Sequence, residues 1–72
     1  MIIGKLASYK QAIRDLDRAI ELNPPDVEAY NNRGVLYWGL GNHRQAFGDL
    51  KIAAKLGYGK AQEFLKARGM EW

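Results

Sequence analysis

The fold is decided by a stretch that occurs twice, SYKQAIRDLDRAIEL at Ser8–Leu22 and NHRQAFGDLKIAAKL at Asn42–Leu56, 34 residues further on. The two copies share identical residues in one register, among them the alanine pair Ala12 and Ala46. Within each copy the apolar residues recur at spacings of three and four, which is typical of one face of an amphipathic helix. A helical unit that recurs at a fixed period indicates a repeat protein.

Local signals predict four helices, near residues 8–22, 26–40, 42–56 and 60–68. Ser8 and Asn42 are each followed three residues later by glutamine, which predicts a capping box at both helix starts. Asp26 is placed to cap the second helix. Pro24-Pro25 ends the first helix, and paired glycines end the second and third. Because the connections are short, neighbouring helices must run antiparallel, so we predict an all-α fold of helical hairpins stacked as a short right-handed solenoid.

Length and composition narrow the classes of function. The chain has 72 residues, a formal net charge of +3, one histidine and no cysteine. This length holds one small domain, and the absence of cysteine excludes disulfides and thiolate metal sites. We therefore expect no metal and no cofactor. No stretch approaches the roughly 20 apolar residues of a membrane-spanning helix, so no membrane association is expected and the cytoplasm is the default location.

The pattern resembles the tetratricopeptide repeat, a 34-residue helix–turn–helix unit. The family's signature positions are matched in the stretch 27–60 by Gly34, Tyr37, Gly41, Ala46 and Ala53. Three departures are Tyr30, where the family usually has tryptophan, Arg33, where it usually has leucine, and Tyr58, where it has proline. The tail from Gly57 to Leu65 is similar to the closing segment of Sel1-like relatives.

The resemblance implies one repeat domain over residues 1–72. Residues 1–26 would form a partial repeat, mainly its second helix, residues 27–60 a complete repeat, and residues 61–72 a closing helix. The family's usual role implies protein–protein interaction scaffolding rather than enzymatic activity. The helix that would supply the remaining residues of the family's chaperone-tail clamp is missing, so we do not expect binding of chaperone tails.

The N-terminal unit is incomplete. Met1–Ala7 corresponds to Val35–Gly41, the end of a first helix, so most of that helix is missing. Two interpretations stay open: a frayed stub before a helix that begins at Ser8, or one continuous helix. In both cases we expect self-association by stacking or swapping, because burial of an exposed apolar face against another copy is favourable. The residues expected to take part are Ile2, Ile3, Leu6, Tyr9 and Ile13.

Catalysis is not expected from the candidate residues. His43 has no nucleophile placed beside it and aligns with Tyr9, which favours a packing role. Asp15 and Asp17 lie two apart on a helix, so their carboxylates diverge. The alignment of Asp15 with Asp49 suggests that both lie on the surface.

Binding of a peptide or protein is the function for which the sequence supplies a mechanism. In stacked helical hairpins the first helices line a concave groove. On these helices, residues at helical spacing outside the apolar core face share the face toward the groove. They are Glu28, Asn31, Asn32, Val35 and Trp38 on the second helix, and Gln62, Leu65 and Lys66 on the last. The asparagine amides can hold an extended peptide backbone, and Lys66 suits a carboxylate. Burial of Val35 and Trp38 against a neighbouring helix is an equally open interpretation.

Two alternatives to partner binding stay open. The chain could be a purely structural, self-assembling repeat segment. A sequence pI near 9.4 also permits weak nucleic-acid binding through a basic surface. However, acidic and basic residues are mixed through Arg14–Arg18, which is typical of a solvated helix and makes nucleic acid the less favoured partner.

Overall fold

The computed structural model describes the backbone of residues 2–72 and the side chains of residues 7–72. Along these described residues, four helices follow one another: α1 (Ile2–Leu22), α2 (Val27–Gly39), α3 (His43–Lys55) and α4 (Gly59–Ala67). Each helix packs mainly against its neighbour in the chain, α1 on α2, α2 on α3 and α3 on α4. The all-α hairpin fold is therefore confirmed. No helix in the part of the chain that the structure describes is both long enough and apolar enough to cross a membrane.

The N-terminal helix is continuous from Ile2 to Leu22. Of the two interpretations of the N-terminus, the structure has the long helix, so the prediction of a cap at Ser8 is wrong. The cause lies one residue earlier, at Ala7. The corresponding residue of the next repeat is Gly41, which turns the chain with φ +80, a left-handed conformation that alanine rarely adopts. With alanine at this place, the helix runs on.

The helix starts only partly follow the predicted caps. Asp26 caps α2 as predicted, because its carboxylate accepts a hydrogen bond of 3.1 Å from the Ala29 amide. Asn42 stands at the N-cap of α3, but its side chain makes no hydrogen bond to the backbone. It donates to the Gln45 side chain instead, so the capping box predicted there is wrong.

Helices α2, α3 and α4 end in the same way, with paired backbone hydrogen bonds that satisfy carbonyls of the last turn. At the end of α4, Gly69 donates to the Lys66 carbonyl at 3.0 Å and Met70 donates to the Leu65 carbonyl at 2.9 Å. Met70 also packs against the core, so the last residues fold back onto the helices.

The core lies where α2, α3 and α4 meet. Its buried members are each at most 1 % exposed: Leu50, Ala53, Ala54, Ala61 and Leu65. Helices α2 and α3 approach closely at Gly34, because a Cβ there would lie 2.9 Å from Leu50 Cγ and 3.1 Å from the Ala46 carbonyl oxygen. Small residues on facing helices thus bring the two helix backbones close enough for the leucines to interdigitate.

Candidate functional site

A groove of about 480 Å³ opens between α1 and α2. Its lining is mostly apolar: Ala12, Asp15 and Leu16 from α1, and Asn32, Val35 and Leu36 from α2. Val35 is 48 % exposed, and the Asn32 and Asp15 side chains are exposed at the rim. The groove therefore offers apolar contact between the Asn32 amide, which can donate and accept hydrogen bonds, and the Asp15 carboxylate, which can accept them.

Ala12 and Leu16 of α1, which line this groove, are less covered than their counterparts in the second repeat. Ala12 and Leu16 correspond to Ala46 and Leu50, which are 0 % exposed because α2 lies over them. On α1 the same two positions are only partly buried. Sequence reasoning did not name Ala12, Leu16 or Leu36 as groove residues. The alignment of Ala12 and Leu16 with Ala46 and Leu50 in the second copy was the sequence signal that could have identified them.

The structure separates the residues predicted for one concave face. Asn32 and Val35 lie together in the α1–α2 groove, and Glu28 is exposed near the start of α2. Lys66 lies apart from them, in a depression at the C-terminal end beside Met70, Glu71 and Trp72. No single described pocket contains both groups.

Three of the predicted groove residues have other positions. Leu65 is 0 % exposed and belongs to the core, so its assignment to a partner surface is wrong. Asn31 is 9 % exposed and is likewise buried. The Gln62 side-chain amide is engaged within the chain, since it donates a hydrogen bond of 2.9 Å to the Ala54 carbonyl. Helical spacing placed these residues on a common face, but the packing of α4 onto α3 covers that part of it.

Trp38 sits in an aromatic cluster with its own chain. Its ring stacks on His43 with the centroids 4.1 Å apart, and it meets Phe47 and Phe64 edge-on at 5.2 and 5.4 Å. The Arg68 guanidinium lies 4.9 Å from the Trp38 centroid, within cation–π range. Of the two interpretations of Trp38, the structure supports packing within the chain, and His43 has the packing role expected of it.

An ion network that the sequence did not reveal joins three helices. Arg33 donates two hydrogen bonds of 2.8 Å to the Asp49 carboxylate and a third, also 2.8 Å, to Asp17. The bidentate bond to Asp49 is the main reason that the pKa of the Arg33 guanidinium lies above its ordinary value. Asp49 is 6 % exposed, so the predicted surface position is wrong for this residue, while Asp15 is exposed. The departure from leucine at Arg33 was the signal available in the sequence.

The residues predicted for self-association divide into two groups. Ile13 is 8 % exposed and belongs to the core of the single chain, so its assignment to an exposed face is wrong. The Tyr9 ring packs on Gly39, where a Cβ would come 2.7 Å from Tyr9 Cε2. The side chains of Ile2, Ile3 and Leu6 lie outside the described residues.

The helices, their spacing and their small contact residues define a helical-repeat protein, and family comparisons agree. Residues 6–41 match the family described as TPR repeat, and residues 27–56 match the one described as Tetratricopeptide repeat. Since the first match covers half of the chain, the chain belongs to the tetratricopeptide repeat family. No solved structure matches the chain at a significant level. Proteins with these repeats generally mediate protein–protein interaction and are typically scaffolds without enzymatic activity.

Proposed function

We propose that the chain is an interaction scaffold that binds a peptide or protein partner in the groove between α1 and α2. The observation that carries this proposal is the apolar lining with exposed Asn32 at its edge. An apolar side chain of the partner would enter against Val35 and Leu16. The Asn32 amide, which both donates and accepts, would hold the partner's backbone.

We also propose that Glu28 and Lys66, which are exposed at separate places outside the groove, offer additional charged contacts to the partner. Trp38 packs on His43 and Phe64 within the chain, so we assign it no direct contact with the partner. We propose no catalytic role for the chain, since its only histidine is held in this aromatic stack.

The chain offers a matched pair of variants to test the groove. Val35 is 48 % exposed in the groove, and Ile52 on α3 is 40 % exposed and lines a different cleft. A random-peptide library displayed on phage, selected on the wild-type chain, supplies the probe peptides. We expect Val35→Lys to weaken binding of a selected peptide at least about tenfold, because a lysine amine cannot be left unpaired against an apolar wall.

Ile52→Lys should leave the affinity for the same peptide within about twofold, since it changes an exposed apolar residue of similar accessibility outside the groove. Asn32→Ala should weaken binding about fivefold through the lost hydrogen bonds. Equal loss in Val35→Lys and Ile52→Lys, measured by isothermal titration, would contradict the groove assignment. Failure to select any peptide would contradict partner binding itself and favour a purely structural segment.

Self-association through the incomplete N-terminal repeat is the second part of the proposal. The observation that favours it is the incomplete cover on α1, whose Ala12 and Leu16 occupy positions that are fully buried in the next repeat. Sedimentation velocity across a range of concentrations tests it, and a single monomeric species throughout would contradict it.

In contrast to the partly exposed face of α1, the apolar surface at the C-terminal end is covered. We propose that the C-terminal segment closes the array in the way of Sel1-like relatives. Arg68 lies 3.6 Å from the Phe64 ring centroid, and Met70 packs against the core. Side chains of the last helix and the residues after it therefore cover the apolar surface at this end of the stack.

A further inference from the structure

The α1 wall of the groove corresponds, in the 34-residue register, to the α3 surface on which α2 packs. A Cβ at Gly34 would lie 2.9 to 3.2 Å from atoms of three α3 residues, and the residues 34 positions earlier are the three α1 residues that line the groove. The correspondence joins Ala12 with Ala46, Asp15 with Asp49, and Leu16 with Leu50. The groove therefore opens on the side of α1 that is equivalent to the α2-covered side of α3.

The packing of α2 on α3 shows what such a surface binds. Gly34 has no side chain, so the two helix backbones come close enough for Leu50 to pack against α2. Arg33, the residue before Gly34, donates two hydrogen bonds of 2.8 Å, one to each carboxylate oxygen of Asp49. A helix with an arginine followed by a glycine is thus the complement of an alanine, an aspartate and a leucine at positions i, i+3 and i+4.

The aspartate of the α1 surface has a different environment from Asp49. Among the described residues, the Asp15 carboxylate accepts one hydrogen bond, 3.2 Å from the Gln11 side-chain amide, and both side chains are exposed. Asp15 is also the one charged residue among those that line the groove. A cation that enters beside Leu16 would therefore meet a carboxylate with no competing positive charge in the lining.

We propose that the groove receives an α-helix of a partner protein that carries an arginine followed directly by a glycine or an alanine. This inference rests on the partner binding proposed above and names the chemistry of the partner. The arginine would bind the Asp15 carboxylate, and the small residue would lie against Ala12 and Leu16. The Asn32 amide would then contact backbone groups at an end of that helix, where they have no partner within the helix.

The last helix of a second copy is less suited to this surface. In register, Ala67 and Arg68 stand where α2 has Arg33 and Gly34, so the order of basic and small residue is reversed. The Arg68 guanidinium already lies 3.6 Å from the Phe64 ring centroid. One helix at a time can cover the α1 wall, so the partner's helix and a second copy would exclude each other at this groove.

The chain itself supplies the probe, a synthetic peptide with the sequence of residues 26–41. A covalent side-chain bridge in place of Glu28 and Asn32 holds this α2 peptide helical, because residues four apart are neighbours on a helix. The bridge lies on the side of the helix away from Gly34. Isothermal titration of the α2 peptide into the full chain and its variants measures the affinity.

The expected result is saturable binding that depends on Asp15. Asp15→Asn should weaken binding of the α2 peptide at least about tenfold, because the arginine loses a charged bidentate partner. Glu21→Gln neutralises another exposed carboxylate of α1, outside the groove, and should leave the affinity within about twofold. Equal affinity of the wild-type chain and Asp15→Asn would overturn the proposal.

Variants of the α2 peptide test the pair of residues directly. A peptide with Arg33→Asp should bind the Asp15→Arg chain at least about tenfold more tightly than the unchanged peptide does, because the ion pair is restored with its charges exchanged. A peptide with Gly34→Leu should bind the wild-type chain at least about tenfold more weakly through crowding, although leucine favours the helix. No gain from the exchanged charges, or undiminished binding of the Gly34→Leu peptide, would contradict the assigned contacts.

The same titrations separate this inference from the function on which it rests. A chain that binds a phage-selected peptide through Val35 but does not bind the α2 peptide would overturn the helical partner and leave groove binding intact. A chain that binds neither the α2 peptide nor any selected peptide would overturn both.

Discussion

Helices α1 and α3 carry the same repeat motif but have different environments. On α3, Ala46 and Leu50 are 0 % exposed beneath α2, and the neighbouring Asp49 is bound by Arg33. On α1 the corresponding alanine and leucine are partly exposed in a groove, and the corresponding aspartate is solvent-exposed. The motif encodes a helix with one apolar face, but burial of that face depends on whether a first helix lies over it.

The largest difference between the two helices is expected at their leucines. Leu50→Ala should lower the free energy of unfolding by about 3 to 4 kcal/mol, because it opens a cavity in the core. Leu16→Ala should lower it by only about 1 kcal/mol, because the groove already exposes part of this side chain. Urea denaturation at one low protein concentration measures both. A loss at Leu16 as large as that at Leu50 would show that the two repeats are equally covered.

A smaller difference is expected at the aspartates. Asp49→Ala should destabilise the chain by about 2 to 3 kcal/mol, because Arg33 loses its bidentate partner in a largely buried site. Asp15→Ala removes the same side chain from an exposed position and should change stability by less than about 0.5 kcal/mol. Thermal unfolding followed by circular dichroism makes this comparison. Matching effects of the two variants would refute the assignment of different environments.

The smallest effects are expected at two helical glycines, which differ in how closely another helix approaches them. Gly34→Ala should cost about 1 to 2 kcal/mol, since its Cβ would crowd Leu50 and the Ala46 carbonyl. Gly48→Ala meets nothing within 4 Å and should stabilise the chain by about 0.5 to 1 kcal/mol through helix propensity. Shifts of the urea midpoint in opposite directions for the two variants would support the close contact of α2 with α3. A stabilising Gly34→Ala would exclude it.

Much of the fold could be predicted from local signals. The 34-residue register, the proline pair after α1 and the glycine turns located all four helices, because these signals act within a few residues of chain. The length of α1 was open, since the same stretch suits a stub or a continued helix. The capping predictions failed at Ser8 and Asn42, where a side chain able to cap lies inside a helix or bonds to another side chain.

The candidate site was less predictable than the fold. Asn32 and Val35 are exposed, as the helical spacing suggests, and their role in partner binding stays a prediction. The same spacing included Asn31 and Leu65, which the structure buries. Periodicity gives the direction of a side chain around its own helix, but it does not say which neighbouring helix covers that direction.

By itself, then, the amino-acid sequence determined the repeat, the helices and the small residues at their contacts. The tertiary structure decided which apolar faces are covered and that Arg33 joins Asp17 and Asp49 across three helices. It also decided that Trp38 packs within its own chain. The physical reason is that helix formation depends on interactions a few residues apart, whereas burial and ion pairing depend on residues brought together from distant parts of the chain.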